Sequence, residues 1–227
     1  MDPHYIPLLL IAIATVAFVI WGIVYTWMTG KPFIVFNPGV PNGIVENASS
    51  VATALERREE MIRFIETPSQ ENYLSLHNII ATSDAYAPYS DEFDTAIAFC
   101  EHDRLVEARN TLQKGMGNLM LSPRAHQLLG FLHHKLGDEK AAQMEGMIGR
   151  ACIEGLLATG DGTEQRPYIV LRTSDEHDVI EHFERELKQQ SLTNSDDKHI
   201  DLVECTDGSK YWFDITLAYR SLARTLG

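Results

Sequence analysis

The run Gly160-Asp161-Gly162-Thr163 is this chain's nearest approach to a phosphate-cradling turn. Such turns aim several backbone N–H groups at one anion, and they carry a glycine spacing and a lysine that this run lacks. It therefore reads as a connector between a helix and a strand. Asp161 with Glu164 offers two carboxylates to a hard cation, but without the spacing of a calcium loop. The histidines are the next candidates. His133 and His134 are adjacent, so on a helix they point in different directions. His177 and Glu181 lie four apart on one helix face with His182 alongside, yet zinc needs a third ligand that the sequence does not place. These side chains read as a solvated helix surface. No Gly-x-Ser-x-Gly elbow occurs. Cys205 falls inside a strand pattern, where a packed thiol is commoner than half of a Cys-His dyad. Tyr211-Trp212-Phe213 offers aromatic surface to a ligand groove or, by strand alternation, to a core. No catalytic residue, metal site or cofactor is assigned from these patterns.

The elements that would hold them divide the chain into four parts: an anchor at 1–30, a linker at 31–48, a helical domain at 49–158 and a small α/β tail at 159–227. Ile6 to Met28 is 23 residues without a charge, its apolar positions including Leu8, Ile13, Val19 and Val24. At about 1.5 Å per residue such a helix crosses a bilayer core. Tyr5 at one end and Tyr25 and Trp27 at the other suit the membrane interface. A cleaved signal peptide fits less well, because no basic region precedes the apolar run and no small-x-small site follows it. Lys31, Arg57 and Arg58 after the run favour a cytoplasmic soluble domain. The linker is turn-rich, with Pro32, Pro38, Pro41 and Asn42-Gly43.

The whole chain carries a formal net charge of -13, nearly all of it outside the anchor. That charge repels phosphate backbones, so nucleic acid is an unfavourable partner. Cys100, Cys152 and Cys205 match no zinc or redox spacing. Buried free thiols are expected, with a disulfide between two of them as the alternative.

In the helical domain, apolar residues from Val51 to Ile65 recur at helical spacing until Thr67-Pro68-Ser69 breaks the pattern, and Ser69 can cap a second helix. Further on, Ala96 corresponds to Gly130, Phe99 to His133, Asp103 to Gly137 and Ala108 to Ala142, each pair 34 residues apart. This period resembles the tetratricopeptide repeat, a helix-turn-helix unit whose small residues let two helices approach closely. His133 departs from the aromatic residue expected at its position. In the tail, Tyr168–Arg172 reads as a strand. Thr173 or Ser174 caps a helix with Asp175, Glu176 and Asp178 in its first turn and a stripe of Val179, Ile180, Phe183 and Leu187. Gln189–Lys198 reads as polar and turn-like. Asp207-Gly208 reads as a two-residue type I′ turn that sets Ile200, Leu202 and Glu204 opposite Ile215, Phe213 and Tyr211, with Val203, Cys205 and Trp212 on the other face. A last helix spans Leu217–Leu226. The predicted class is α+β: a transmembrane helix, a tetratricopeptide-like α-helical region and a β-α-β-β-α unit.

Tyr86-Ala87-Pro88-Tyr89, Leu136-Gly137-Asp138, Gly160–Thr163, Lys188–Leu192 and Tyr211–Ile215, in this order, resemble an uncharacterised bacterial domain family of Bacteroides-like organisms. The resemblance covers about residues 65–216 and implies no activity. The expected function is that of a single-pass membrane protein whose helical repeats dock a protein or peptide partner without catalysis. The other reading is a small-ligand or hydrolytic site in the tail.

Overall fold

Breakers and caps in the sequence set out the helical half of the molecule. The computed structural model describes residues 56–195 and 197–226, so the anchor, the linker and the start of the first helix lie outside the described residues. The chain is helical over 56–66 (α1) and breaks at Pro68. Ser69 then caps α2 (Gln70–Ala81), its hydroxyl accepting from the Asn72 N–H at 3.3 Å. Two helix hairpins follow: α3 (Glu92–Glu101) with α4 (Leu105–Leu119), and α5 (Pro123–Lys135) with α6 (Glu139–Leu157). Among the described residues, no helix is long and apolar enough to cross a membrane.

The two hairpin turns have the same backbone chemistry. Asp103 and Gly137 both lie in the left-handed region, at φ 57° and 84°. Asp103 N–H donates to Cys100 O and Arg104 N–H to Phe99 O; Gly137 N–H donates to His134 O and Asp138 N–H to His133 O. Each turn is a Schellman motif, which satisfies the last carbonyls of the incoming helix. Aspartate is one of the few side chains that tolerate this conformation, whereas Gly137 meets no penalty.

The second half is a four-stranded sheet in the order β1-β4-β3-β2 with two helices. Strand β1 is only Tyr168–Ile169 and runs parallel to β4 (Lys210–Asp214). Helix α7 (Thr173–His182) follows, then β2 (Leu187–Ser195), β3 (Lys198–Cys205), β4 and α8 (Thr216–Leu226). The described tail is thus β-α-β-β-β-α.

Three expectations are corrected here. First, most of the Gln189–Lys198 stretch is strand, pairing antiparallel with β3. Its polar composition hid it, because an exposed edge strand needs only the backbone ladder of its neighbour and is often kept polar against aggregation. Second, the β3–β4 register is Ile200↔Asp214, Leu202↔Trp212 and Glu204↔Lys210, one residue from the expected pairing. The loop is Thr206-Asp207-Gly208, with Gly208 at φ 88° and its N–H donating to Cys205 O. This is the three-residue hairpin in which a turn is followed by a left-handed glycine. Because side chains alternate, the slip returns Phe213 to the core face with Val203 and Cys205 and puts Trp212 opposite Leu202 on the other face. Third, α7 ends at His182, so Phe183 is its C-cap and Leu187 opens β2; the N-cap is Arg172 rather than Thr173 or Ser174.

Two apolar clusters stabilise the described chain. Ala96, Ala108, Leu112, Leu119, Ala125, Leu129 and Leu132 fill the space between the hairpins. The larger cluster joins Phe64 of α1, Tyr73, Leu76 and Ile80 of α2, Cys152 and Leu156 of α6, Val179 of α7, and Val203 and Phe213 of the sheet. The helices before residue 158 and the strands after it therefore share one core. The three cysteines are free thiols, Cys152 and Cys205 buried and Cys100 partly so.

Candidate functional site

Helices α5 and α6 pack closely because small residues meet at their contact. A Cβ on Gly130 would lie 3.3 Å from Ala142 O, and one on Gly149 3.4 Å from Pro123 O. Gly146 differs: a Cβ there would meet only Arg150 Nη1, at 3.8 Å, so this glycine faces open space. Two depressions of about 520 and 590 Å³ adjoin along this hairpin, sharing Ala142, Gly146 and Arg150. One reaches Met147 and the His134–Glu139 pair, which is 2.7 Å apart; the other reaches Glu154 and His182. On the same two helices Phe131, Met144 and Met147 are 46, 48 and 49% exposed. Exposed aromatic and thioether side chains beside a small-residue floor are a feature of partner-binding surfaces.

The residues expected to pack the repeats separate into three places. Ala96 and Ala108 are fully buried between α3 and α4, with Phe99 packed against their cluster. Gly130 and Ala142 meet across α5 and α6, where Ala142 also lines the groove. Gly137 makes the turn.

The other sequence candidates are not brought together. In the 160–163 loop, Asp161 and Gly162 N–H both donate to Arg166 O, and Asp161 Oδ1 accepts from the Thr163 N–H and hydroxyl at 3.1 and 2.6 Å. The N–H groups an anion would need are consumed within the loop. His177 and Glu181 are exposed, and among the described residues no group of three or more His, Cys, Asp or Glu is placed to hold a metal ion. His133 is buried, with Nδ1 3.8 Å from Asp138 Oδ2, whereas His134 is exposed. Phe213 is core, and Tyr211 stacks on Phe183 with centroids 5.2 Å apart.

The sequence reading missed a layer of buried charge on α7. Asp175, Glu176 and Asp178 are 1, 1 and 7% exposed, although they read as a solvated first turn. Asp175 Oδ2 accepts from the N–H groups of Leu171 and Arg172, each at 3.1 Å. Burial still raises its pKa above the ordinary carboxylate value, the Arg172 charge opposing. Gln190 Nε2 donates to both Glu176 Oε2 (3.0 Å) and Asp201 Oδ2 (2.6 Å). Burial, with Asp201 and Asp175 nearby, pushes Glu176 from 4.5 up to about 9, so it holds its proton at neutral pH. Asp178 sits 2.6 Å from Arg124 Nε, yet burial outweighs that cation and lifts Asp178 from 3.8 to about 7. His77, buried nearby in the core, moves the opposite way, because desolvation disfavours its cation.

Arg172 completes the layer. Its Nη2 donates to Asn118 O and, at 3.0 Å, to Asn118 Oδ1. Asn118 in turn holds the 86–90 loop, accepting from Ala87 N–H and donating to Ala87 O and Ser90 Oγ. The Tyr86 hydroxyl donates to Leu171 O at 2.7 Å. One signal for this layer was legible: Arg172, Asp175, Glu176 and Asp178 crowd a segment where Leu171, Val179 and Ile180 are core. Comparison with protein-family models, with curated proteins and with solved structures finds no match to the chain.

Proposed function

We propose that this chain is a membrane-tethered, non-enzymatic docking module that holds a basic segment of a protein partner in the α5–α6 groove. The observation that carries the reading is the open face at Gly146, flanked by Met147 and by the carboxylates of Glu139 and Glu154. Small floor residues admit a partner backbone closely, and Met147, Met144 and Phe131 supply adaptable apolar surface. The formal charge of -13 favours a basic partner and speeds its encounter. The uncharged run from Ile6 to Met28 supports the tether, and Lys31 supports placing the groove on the cytoplasmic side.

The test uses the full-length chain and a variant carrying Gly146→Glu with Met147→Glu, captured side by side from native membranes. Both positions face solvent, so the variant keeps its core. The expected result is a near-stoichiometric partner on the wild type, depleted roughly tenfold or more on the variant, equivalent to about 1.4 kcal/mol of lost affinity. Equal recovery on both would remove the groove from the interaction.

A further inference from the structure

We propose that a second site, independent of the docking groove, binds the anionic end of a small organic oxyanion at the start of α7. A cavity of about 270 Å³ lies between the 88–90 loop, the start of α3, the α4–α5 turn and Arg172–Ser174, and it shares no lining residue with the groove. Ligand pockets begin at about this size, which suits a small molecule rather than a chain segment.

Arg172 is the deciding side chain. It lines the cavity, and its side chain is 4% exposed. Nη2 is satisfied by Asn118, but Nε and Nη1 have no hydrogen-bond acceptor. The nearest carboxylate oxygen, Asp175 Oδ1, is 4.0 Å from Nη1, too far to accept. A buried guanidinium with two unmet donors is an expensive arrangement unless something fills it.

The remaining walls favour the same ligand. Thr173 and Ser174 open a helix of 10 residues, whose first N–H groups and dipole attract an anion. Ser90 Oγ already accepts from Asn118 Nδ2, which leaves its own proton to donate. Arg124 binds Asp178 through Nε, with its guanidinium 5.6 Å from the Phe93 ring centroid. Tyr89 and Phe93 offer an apolar wall to the ligand's body. Asp94 is exposed at the rim and repels a second negative group, so the ligand carries its charge at one end. A carboxylate and a phosphate monoester share this chemistry.

Thermal unfolding of the full-length chain tests the site. The probes are inorganic phosphate, phenyl phosphate and benzoate, against sodium chloride at equal ionic strength. A ligand that binds only the folded state raises Tm saturably. The comparison variant is Ser174→Glu, because removing Arg172 threatens folding itself. An acidic residue in the first turn agrees with the helix dipole, so Tm without probe should stay near wild type. The proposal expects a saturable rise in wild type with phenyl phosphate or benzoate, larger than with inorganic phosphate, and its loss in Ser174→Glu. A rise with one aryl probe alone assigns the headgroup to that probe. No rise with any probe, or an equal rise in both proteins, would overturn it.

Discussion

Helices α5 and α6 and helix α7 spend small and charged residues in opposite ways. In the hairpin, Gly130, Ala142 and Gly149 bring two helices together while charged side chains such as Glu139 and Glu154 stay at the surface. In α7 the charges go inside: Asp175, Glu176 and Asp178 are buried in one helix beside Arg172. The first arrangement gains stability from packing and tolerates change on its open face. The second places groups that must be neutralised, paired or filled, so its stability depends on pH and on what occupies the adjoining cavity.

The sharpest way to break this contrast is at Arg172. Arg172→Met leaves Asn118 and Asp175 without their cation, and removing one member of a buried charged set typically costs about 3–5 kcal/mol. A urea midpoint unchanged from wild type would show that the layer is not structural.

The pH dependence comes next. Glu176 is held at about 9 in the fold against an ordinary 4.5, and Asp178 at about 7 against 3.8. In both cases the folded state keeps a proton that the unfolded chain has released. Stability therefore falls as pH rises through these windows, by about 1.4 kcal/mol per pH unit for each retained proton. Between pH 7 and 9 the loss is about 3 kcal/mol, carried by Glu176 alone. Glu176→Gln keeps the shape and should flatten that slope in urea unfolding at pH 7, 8 and 9. A variant as steep as wild type would assign the slope elsewhere.

Two glycines of α6 give a smaller test within one helix. A Cβ on Gly155 would lie 2.5 Å from Phe64 Cε2 and 2.9 Å from Tyr73 Cδ2, inside the larger core. Gly155→Ala should destabilise by about 1–3 kcal/mol through overpacking. Gly146 faces the open groove, so Gly146→Ala should stabilise by up to about 1 kcal/mol through helix propensity. Equal signs for the two substitutions would contradict the assignment of one face to core and the other to groove.

The hairpins were largely legible because their signals are local. Pro68 and Ser69 mark a break and a cap, and Asp103 and Gly137 mark matching turns 34 residues apart. The layer was not legible, because whether Glu176 meets water or Asp201 depends on β3, which the sequence leaves 25 residues away. Strand β2 was hidden for the same reason: its ladder is supplied by β3 and not by its own residues. The hairpin turn failed by one residue, since Asp207-Gly208 serves both the two- and the three-residue loop. Of the groove, the close contact between Gly130 and Ala142 was foreseen, but not the open face at Gly146.

The docking reading is tested most directly by site-specific photocrosslinking in native membranes. A photoreactive aromatic residue replaces Met147 in the groove or Val106 on α4, positions 49 and 47% exposed. The groove reading predicts one discrete crosslinked product from position 147 and none of that mass from position 106. The same product from both positions, or none from position 147, would contradict it.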